Sequence, residues 1–490
     1  MAGWTATRRK QRQWSHGSRL LLGFSGRDRS RRVPQIAADI GGREESTVHE
    51  EGITQGLERR KFLQRAGLAA AVGATLPLLG TGGASALAAV PSSAGDPDKL
   101  FKDGHFKRAE QGYRRLLTKD ADNAHAAAQI GYIALLSNRF ADAERFLKRA
   151  VTLKPDDEFS LYQLADCYVR QDRLREAVPW LRKTENTTHA AYATLYEHIK
   201  GTPWRVDGPQ STRVPLLGID PLPHLQVSIN GRPPTTFLLD TGATTAGFSM
   251  DVAADAGLTA ISESRAKIED KEYVMYHGIA ESVRVGDIEI RNAPVHWNDA
   301  VRPKLPDDSV PQGTLGTVLF YHFLTTMDYG HEQFVLRRKT EAGLRRFRAQ
   351  AARLKGDVLP LWLAKDHFPC TLGSLNDFGP RVVTFDTGGP GRGIGTSIDF
   401  AERAGVELGE PEESRGGVRY PIAPERSSLG KATRRRVKGY ANENPKVGAG
   451  MKFDTIANFT HEFFESFAIT FDYTHMNLYI TGDSMDPDAR

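Results

Sequence analysis

At 490 residues, 40% of them apolar and with 47 Gly and 26 Pro, the chain is too long for one domain and too apolar for a disordered protein. A net charge of +5 ordinarily suggests an anionic partner, but residues 1–88 hold 14 basic and 7 acidic residues, leaving 51 against 53 in the rest. The body is near neutral, which removes the main support for nucleic-acid binding. Cys167 and Cys370 are too few for a disulfide framework and read as small buried hydrophobes. No CxxC, HExxH or EF-hand pattern occurs, so neither a metal nor another cofactor is expected.

Residues 1–50 are Arg-rich and lack helical or strand periodicity, and read as a disordered or misassigned extension, with translation expected to begin closer to Val48. Residues 51–89 hold Arg59-Arg60-Lys61-Phe62-Leu63, an uncharged apolar run from Ala66 to Gly80, and the small residues Ala84-Ser85-Ala86. A basic flank, a short apolar core and a small-residue cleavage site make an export signal, and the core is too short for a comfortable membrane anchor. The paired arginines resemble a twin-arginine signal. That resemblance implies a bacterial periplasmic or extracellular protein, without a membrane span once the signal is removed and tethered if it is kept.

Between residues 90 and 200 the period is helical. Ala109, Ala143 and Ala177 are spaced by 34 residues, and Gly131, Leu147, Leu164, Ala165 and Leu181 fill the matching positions. Small residues let antiparallel helices approach where they cross, and Pro155 stops a helix because it cannot continue the hydrogen-bond ladder. The segment resembles tetratricopeptide repeats, two good copies and one degraded, which implies either a docking surface for a protein partner or a structural cap on the domain after it. So few repeats bury little alone, so packing against the next domain is expected.

After a turn-rich linker the pattern alternates. His224–Asn230 and Thr235–Leu239 read as strands, the second feeding Asp240-Thr241-Gly242-Ala243-Thr244; then come a hairpin from Ala280 to Ile290, Gly313–Gly316, and a strand through Asp328. The order repeats in His367–Leu372, Val382–Phe385, Asp386-Thr387-Gly388, and a strand ending at Asp472. The offsets are 146 between the Asp-Thr-Gly tripeptides and 144 between Asp328 and Asp472, which marks a duplication. Arg337–Arg353 reads as an amphipathic linker between the halves, and the Gly-rich run after Asp386 as a loop, since its spacing is wrong for a dinucleotide site.

At these residues, roughly Thr212 to Thr481, the chain resembles the retropepsin-like aspartyl proteases, and its two lobes in one chain look pepsin-like. The expected architecture is therefore an α-helical tetratricopeptide module (90–200) followed by an all-β, two-lobed, double-β-barrel domain (lobes 201–345 and 346–490). The resemblance implies an aspartic endopeptidase acting on polypeptides, with Asp240 and Asp386 as the catalytic dyad. Thr241, Gly242, Thr244, Thr387 and Gly388 would support it, Tyr273 or Tyr276 would lie on a flap, and Leu315-Gly316 would pack beneath the first loop. The second lobe departs from the pattern: Gly389-Pro390 stands where the family has a small residue and a hydroxyl, Ala457-Asn458 reads as the hydrophobic-Gly element, and a basic stretch with Lys431, Arg434, Arg435 and Arg436 replaces the flap. Those departures keep an alternative open, a catalytically degenerate peptide-binding protein that uses the protease fold and the repeats as interaction surfaces.

Overall fold

The computed structural model describes residues 95–268, 271–354, 356–389, 393–414, 417–443 and 450–482. The N-terminal extension, the segment expected to be a twin-arginine leader and Pro390 lie outside the described residues. Among the described residues no helix is long and apolar enough to cross a membrane.

Seven helices open the described chain: α1 Pro97–Lys102, α2 Phe106–Lys119, α3 Ala124–Leu136, α4 Phe140–Leu153, α5 Glu158–Val169, α6 Leu174–Leu181 and α7 Thr187–His198. Asn123, Asp157 and Asn186 cap α3, α5 and α7 by accepting first-turn backbone N–H groups. The three period-marking alanines are buried on α2, α4 and α6. A Cβ on Gly131 would lie 2.6 Å from Leu147 Cγ, so α3 and α4 can cross this closely only with glycine there. A second 34-residue series is formed by Gly104, Asn138 and Asp172, which turn the chain within each repeat at φ of 80°, 52° and 57°. That left-handed conformation favours Gly, Asn and Asp.

The same three turns face the β domain. Asn138 donates to the Tyr321 hydroxyl (3.2 Å) and the Tyr473 carbonyl (3.1 Å), and Asp172 meets His322 Nε2 at 3.0 Å. Gly104 packs on Val382. Buried Arg170 is ion-paired with Asp166 at 2.6 Å and donates to the Leu363 carbonyl at 3.1 Å. Phe101, Phe106 and Tyr132 share a core with Cys370, Val382 and Phe453, so the repeats touch both halves of the β domain. Of the two readings of the repeats, the packing one is seen directly. Phe106→Ala, which empties a site between Trp362 and Phe453, is expected to cost about 3–5 kcal/mol. Denaturant unfolding of the whole protein measures it, and a loss near zero would mean the repeats are a detachable appendage.

The β domain has two lobes and a shared floor. One sheet of eight strands draws on residues 205–207, 224–298 and 313–316, and a second sheet carries residues 362–459. Beneath them runs a six-stranded antiparallel sheet in the order 357–360, 477–481, 468–472, 323–328, 333–338, 211–215. Its middle pair joins the halves, with Leu324 opposite Asp472 and Asp328 opposite Ala468, and the hydroxyls of Thr326 and Thr470 meet at 2.8 Å. The linker helix Glu341–Arg353 buries Leu344, Phe347 and Ala351 and packs Phe347 edge-on against Tyr479. Cys167 and Cys370 are free and buried.

Candidate active site

Each Asp-Thr-Gly turn leaves a buried strand. In the first lobe Thr235–Asp240 runs parallel to Gly313–Gly316, placing Asp240 beside Gly316. In the second, Phe378–Phe385 runs parallel to Asn458–Phe459, with Thr384 beside Asn458 and Phe385 beside Phe459. The apolar residues of these strands, Phe237, Leu239, Val383 and Phe385, are fully buried, which fixes both turns to the core.

The two turns lock by a reciprocal set of four bonds. Thr241 N–H donates to Thr387 Oγ1 and Thr387 N–H to Thr241 Oγ1, both at 3.0 Å. The hydroxyls donate onward, Thr241 to the Phe385 carbonyl at 3.1 Å and Thr387 to the Leu239 carbonyl at 3.0 Å. Both threonines are wholly buried, so these bonds are made away from water.

The lock brings the carboxyl groups of Asp240 and Asp386 within hydrogen-bonding reach of each other. Gly242 N–H donates to Asp240 Oδ1 (2.7 Å) and Gly388 N–H to Asp386 Oδ1 (2.9 Å). Glycine is required at both places by close approach: a Cβ on Gly242 would lie 2.7 Å from Asp386 Cγ, and one on Gly388 would overlap the Asp240 carboxylate. Burial, and then the neighbouring charge of Asp386, push the Asp240 carboxyl well above the ordinary carboxylate range. Two carboxyl groups in such contact disfavour ionising together.

The two halves differ around these acids. Asn458 Nδ2 donates to Asp386 Oδ2 at 3.3 Å, while its own Oδ1 accepts from Thr384 Oγ1 at 2.8 Å, so the amide is held in one orientation. The strand register gives Thr314 the matching place in the first lobe. Asn458 thus supplies a donor on the half whose loop has Pro390 in place of a hydroxyl residue. Sequence alone reads Asn458 as part of the hydrophobic-Gly element and gives it no contact with Asp386.

Other expectations need correction. The register puts Phe459-Thr460, not Ala457-Asn458, at the place of Leu315-Gly316. A two-residue difference between the halves, already present in the offsets of 146 and 144, accounts for the shift. Gly316 is needed in the first lobe because the carbonyls of Ala243 and Thr245 crowd it. The basic stretch does not replace a flap: in pairing pattern, the second-lobe partner of the first-lobe hairpin (Ser262–Ile268 with Lys271–Val285) is Glu412–Ser414 with Gly417–Ile422. Arg435 and Arg436 pair with Glu425, and Arg434 donates to the Glu462 carbonyl, as surface structure. Tyr273 stands on the first-lobe hairpin opposite Ala266, whereas Tyr276 stacks on Trp297 at 6.1 Å. Helix α7 holds that hairpin, with Ser262 Oγ donating to the Ala191 carbonyl and Tyr192 packed on His277. Thr244 is half-buried and lines a cavity shared with the helical repeats. Among the described residues no group of three or more His, Cys, Asp or Glu could hold a metal ion.

Residues 225–319 match the aspartyl protease family model, and residues 100–160 and 134–199 match the tetratricopeptide repeat model. The chain is a tetratricopeptide-type helical module joined to an aspartyl-protease-like β domain. The protease match ends within the first lobe, in keeping with the departures of the second. A retropepsin-like aspartic protease from Rickettsia conorii is similar at 16% identity, over 28% of this chain and 96% of that one, with a TM-score of 0.20. No curated protein matches the chain.

Proposed function

We propose that this protein is an aspartic endopeptidase that hydrolyses polypeptides with a water activated by Asp240 and Asp386. The observation that carries the reading is the meeting of the two carboxyl groups, locked by Thr241 and Thr387. The ionised Asp386 takes a proton from a water lying between the acids, and the resulting hydroxide attacks the scissile carbonyl carbon. Protonated Asp240 donates to the carbonyl oxygen, and the proton taken by Asp386 passes to the leaving nitrogen as the tetrahedral intermediate collapses. Two carboxyls in contact divide into one acid and one base because both cannot ionise together, and aspartic proteases are the standing example of that division. Incubating the purified protein with an unfolded polypeptide from about pH 3 to about pH 8 tests the reading, with cleavage on the acid side expected.

Asn458 gives this reading a sharper test. Its amide favours carrying the pair's negative charge on Asp386, so its loss destabilises the singly ionised dyad. In Asn458→Ala kcat/KM is expected to fall by about tenfold or more, since a hydrogen bond to a charged group is worth about 1.5–3 kcal/mol. An unchanged kcat/KM would remove Asn458 from the mechanism.

The second reading, a peptide-binding protein without turnover, is favoured by Gly389-Pro390 in the second loop. Peptide binding with no cutting at any pH would establish it. Export rests on the twin-arginine pattern at Arg59-Arg60, and an Arg59→Lys/Arg60→Lys variant retained in the cytoplasm would support it.

A further inference from the structure

A cavity of about 160 Å³ lies where the helical repeats meet both lobes, beside the loop that carries Asp240 and lined from the second lobe by Asp366 and His367. Tyr162 of α5 and His189 and Tyr192 of α7 form one side, and Thr244 and Val318 the other. The rings of Tyr162 and His189 stack face to face, with centroids 4.4 Å apart and planes within 10°, so each covers one face of the other and a further ring can stack only on an outer face of the pair. The Tyr162 hydroxyl donates to Asp366, which fixes the ring's tilt. Burial holds His189 below its ordinary value, so the stacked pair is uncharged at neutral pH. Tyr162, His189, Tyr192, Thr244 and Val318 are half-buried, whereas Asp166, Leu181, Tyr196 and His367, which also line the space, are buried.

From these contacts we infer that the helical repeats build a substrate pocket for one aromatic side chain of the polypeptide that lies across the dyad. This rests on the endopeptidase reading and names what the site selects. Three observations carry it. The cavity wall is continuous with the catalytic loop, since Thr244 is four residues from Asp240 and so no more than about 14 Å away. An extended peptide spans that distance in about four residues and turns alternate side chains to one face. A cavity of roughly 150 Å³ with apolar walls admits a benzene ring. Ring-on-ring contact adds about 0.5–1.5 kcal/mol beyond burial, so an aromatic residue gains more here than an aliphatic one. The repeats are thus part of the specificity of the cleft in addition to their packing role.

The test compares peptides that carry Phe or Ala at each position on either side of the cut, using the full chain. Wild type is expected to prefer Phe by about tenfold or more at a single position several residues from the cut. Thr188→Trp, which fills the cavity from α7, and Tyr162→Ala, which breaks the stacked pair, are each expected to bring that Phe-to-Ala ratio close to one. Thermal unfolding of both variants checks that they fold. A ratio that neither variant changes, in folded protein, overturns the pocket. Absence of any cutting by wild type would instead defeat the endopeptidase reading. The same peptide pairs are then compared by equilibrium binding, where a Phe preference lost in Thr188→Trp retains the pocket and no preference overturns it.

Discussion

Replacing either Asp240 or Asp386 with Ala is expected to lower kcat on an unfolded polypeptide by about 10²–10⁴-fold, the scale of lost general acid–base catalysis. Either substitution alone should suffice, because each acid performs a task the other cannot while ionised or protonated as it is. Asp240→Asn offers a second readout, in stability. The Asp240 carboxyl is held above its unfolded value by burial and by Asp386, so the folded state binds an extra proton at pH values between the two. Stability contributed by this group is present in acid and is lost as pH rises through its folded value. Asparagine removes that loss, so Asp240→Asn should unfold at a higher temperature than wild type near neutral pH and at a similar one in acid. Retained cleavage in either Ala variant would break the dyad assignment; equal melting shifts at both pH values would break the assignment of the proton.

Thr387→Ala is expected to destabilise the protein by about 2–5 kcal/mol and to lower activity with it. The substitution strips an acceptor from Thr241 N–H and a donor from the Leu239 carbonyl. Thr241 and Leu239 are fully buried, so their orphaned groups bear the desolvation penalty of about 1–3 kcal/mol each. Thr241→Ala should behave alike, through Thr387 N–H and the Phe385 carbonyl. Thr387→Ser keeps the hydroxyl and should recover most of the loss, whereas Thr387→Val keeps the shape and should not. Chemical unfolding of the three variants decides the matter. A Val variant as stable as the Ser one would mean that packing, and not the reciprocal bonds, holds the turns together.

Much of this architecture is legible because it is written in local periods. The 34-residue recurrence of Ala109, Ala143 and Ala177 comes from helix crossings that need small residues, and such crossings repeat wherever the repeat does. The strands before Asp240 and Asp386 are readable because each is an apolar run that ends at a tight glycine turn. The companion series Gly104, Asn138 and Asp172 is equally present in the sequence yet escapes notice, since Asn and Asp in turns carry no weight until their left-handed conformation is seen. Asn458 is hidden for a different reason. Its place beside Asp386 follows from strand register, and a two-residue difference between the halves moves every alignment made from the tripeptide alone. The pocket of Tyr162 and His189 depends on how two modules meet, which neither period encodes.

In the six-stranded floor, neighbouring strands of the two halves belong to one polypeptide, so each half is free to change by itself. A cleft assembled from two identical subunits has a two-fold axis and accepts a peptide equally well in either orientation. Here Asn458 lies beside Asp386 where the first lobe has Thr314 at the matching place, so the axis is broken. On the proposed endopeptidase reading, a polypeptide would meet a cleft with a head and a tail, and its own amino-to-carboxyl polarity would be fixed before a bond is cut.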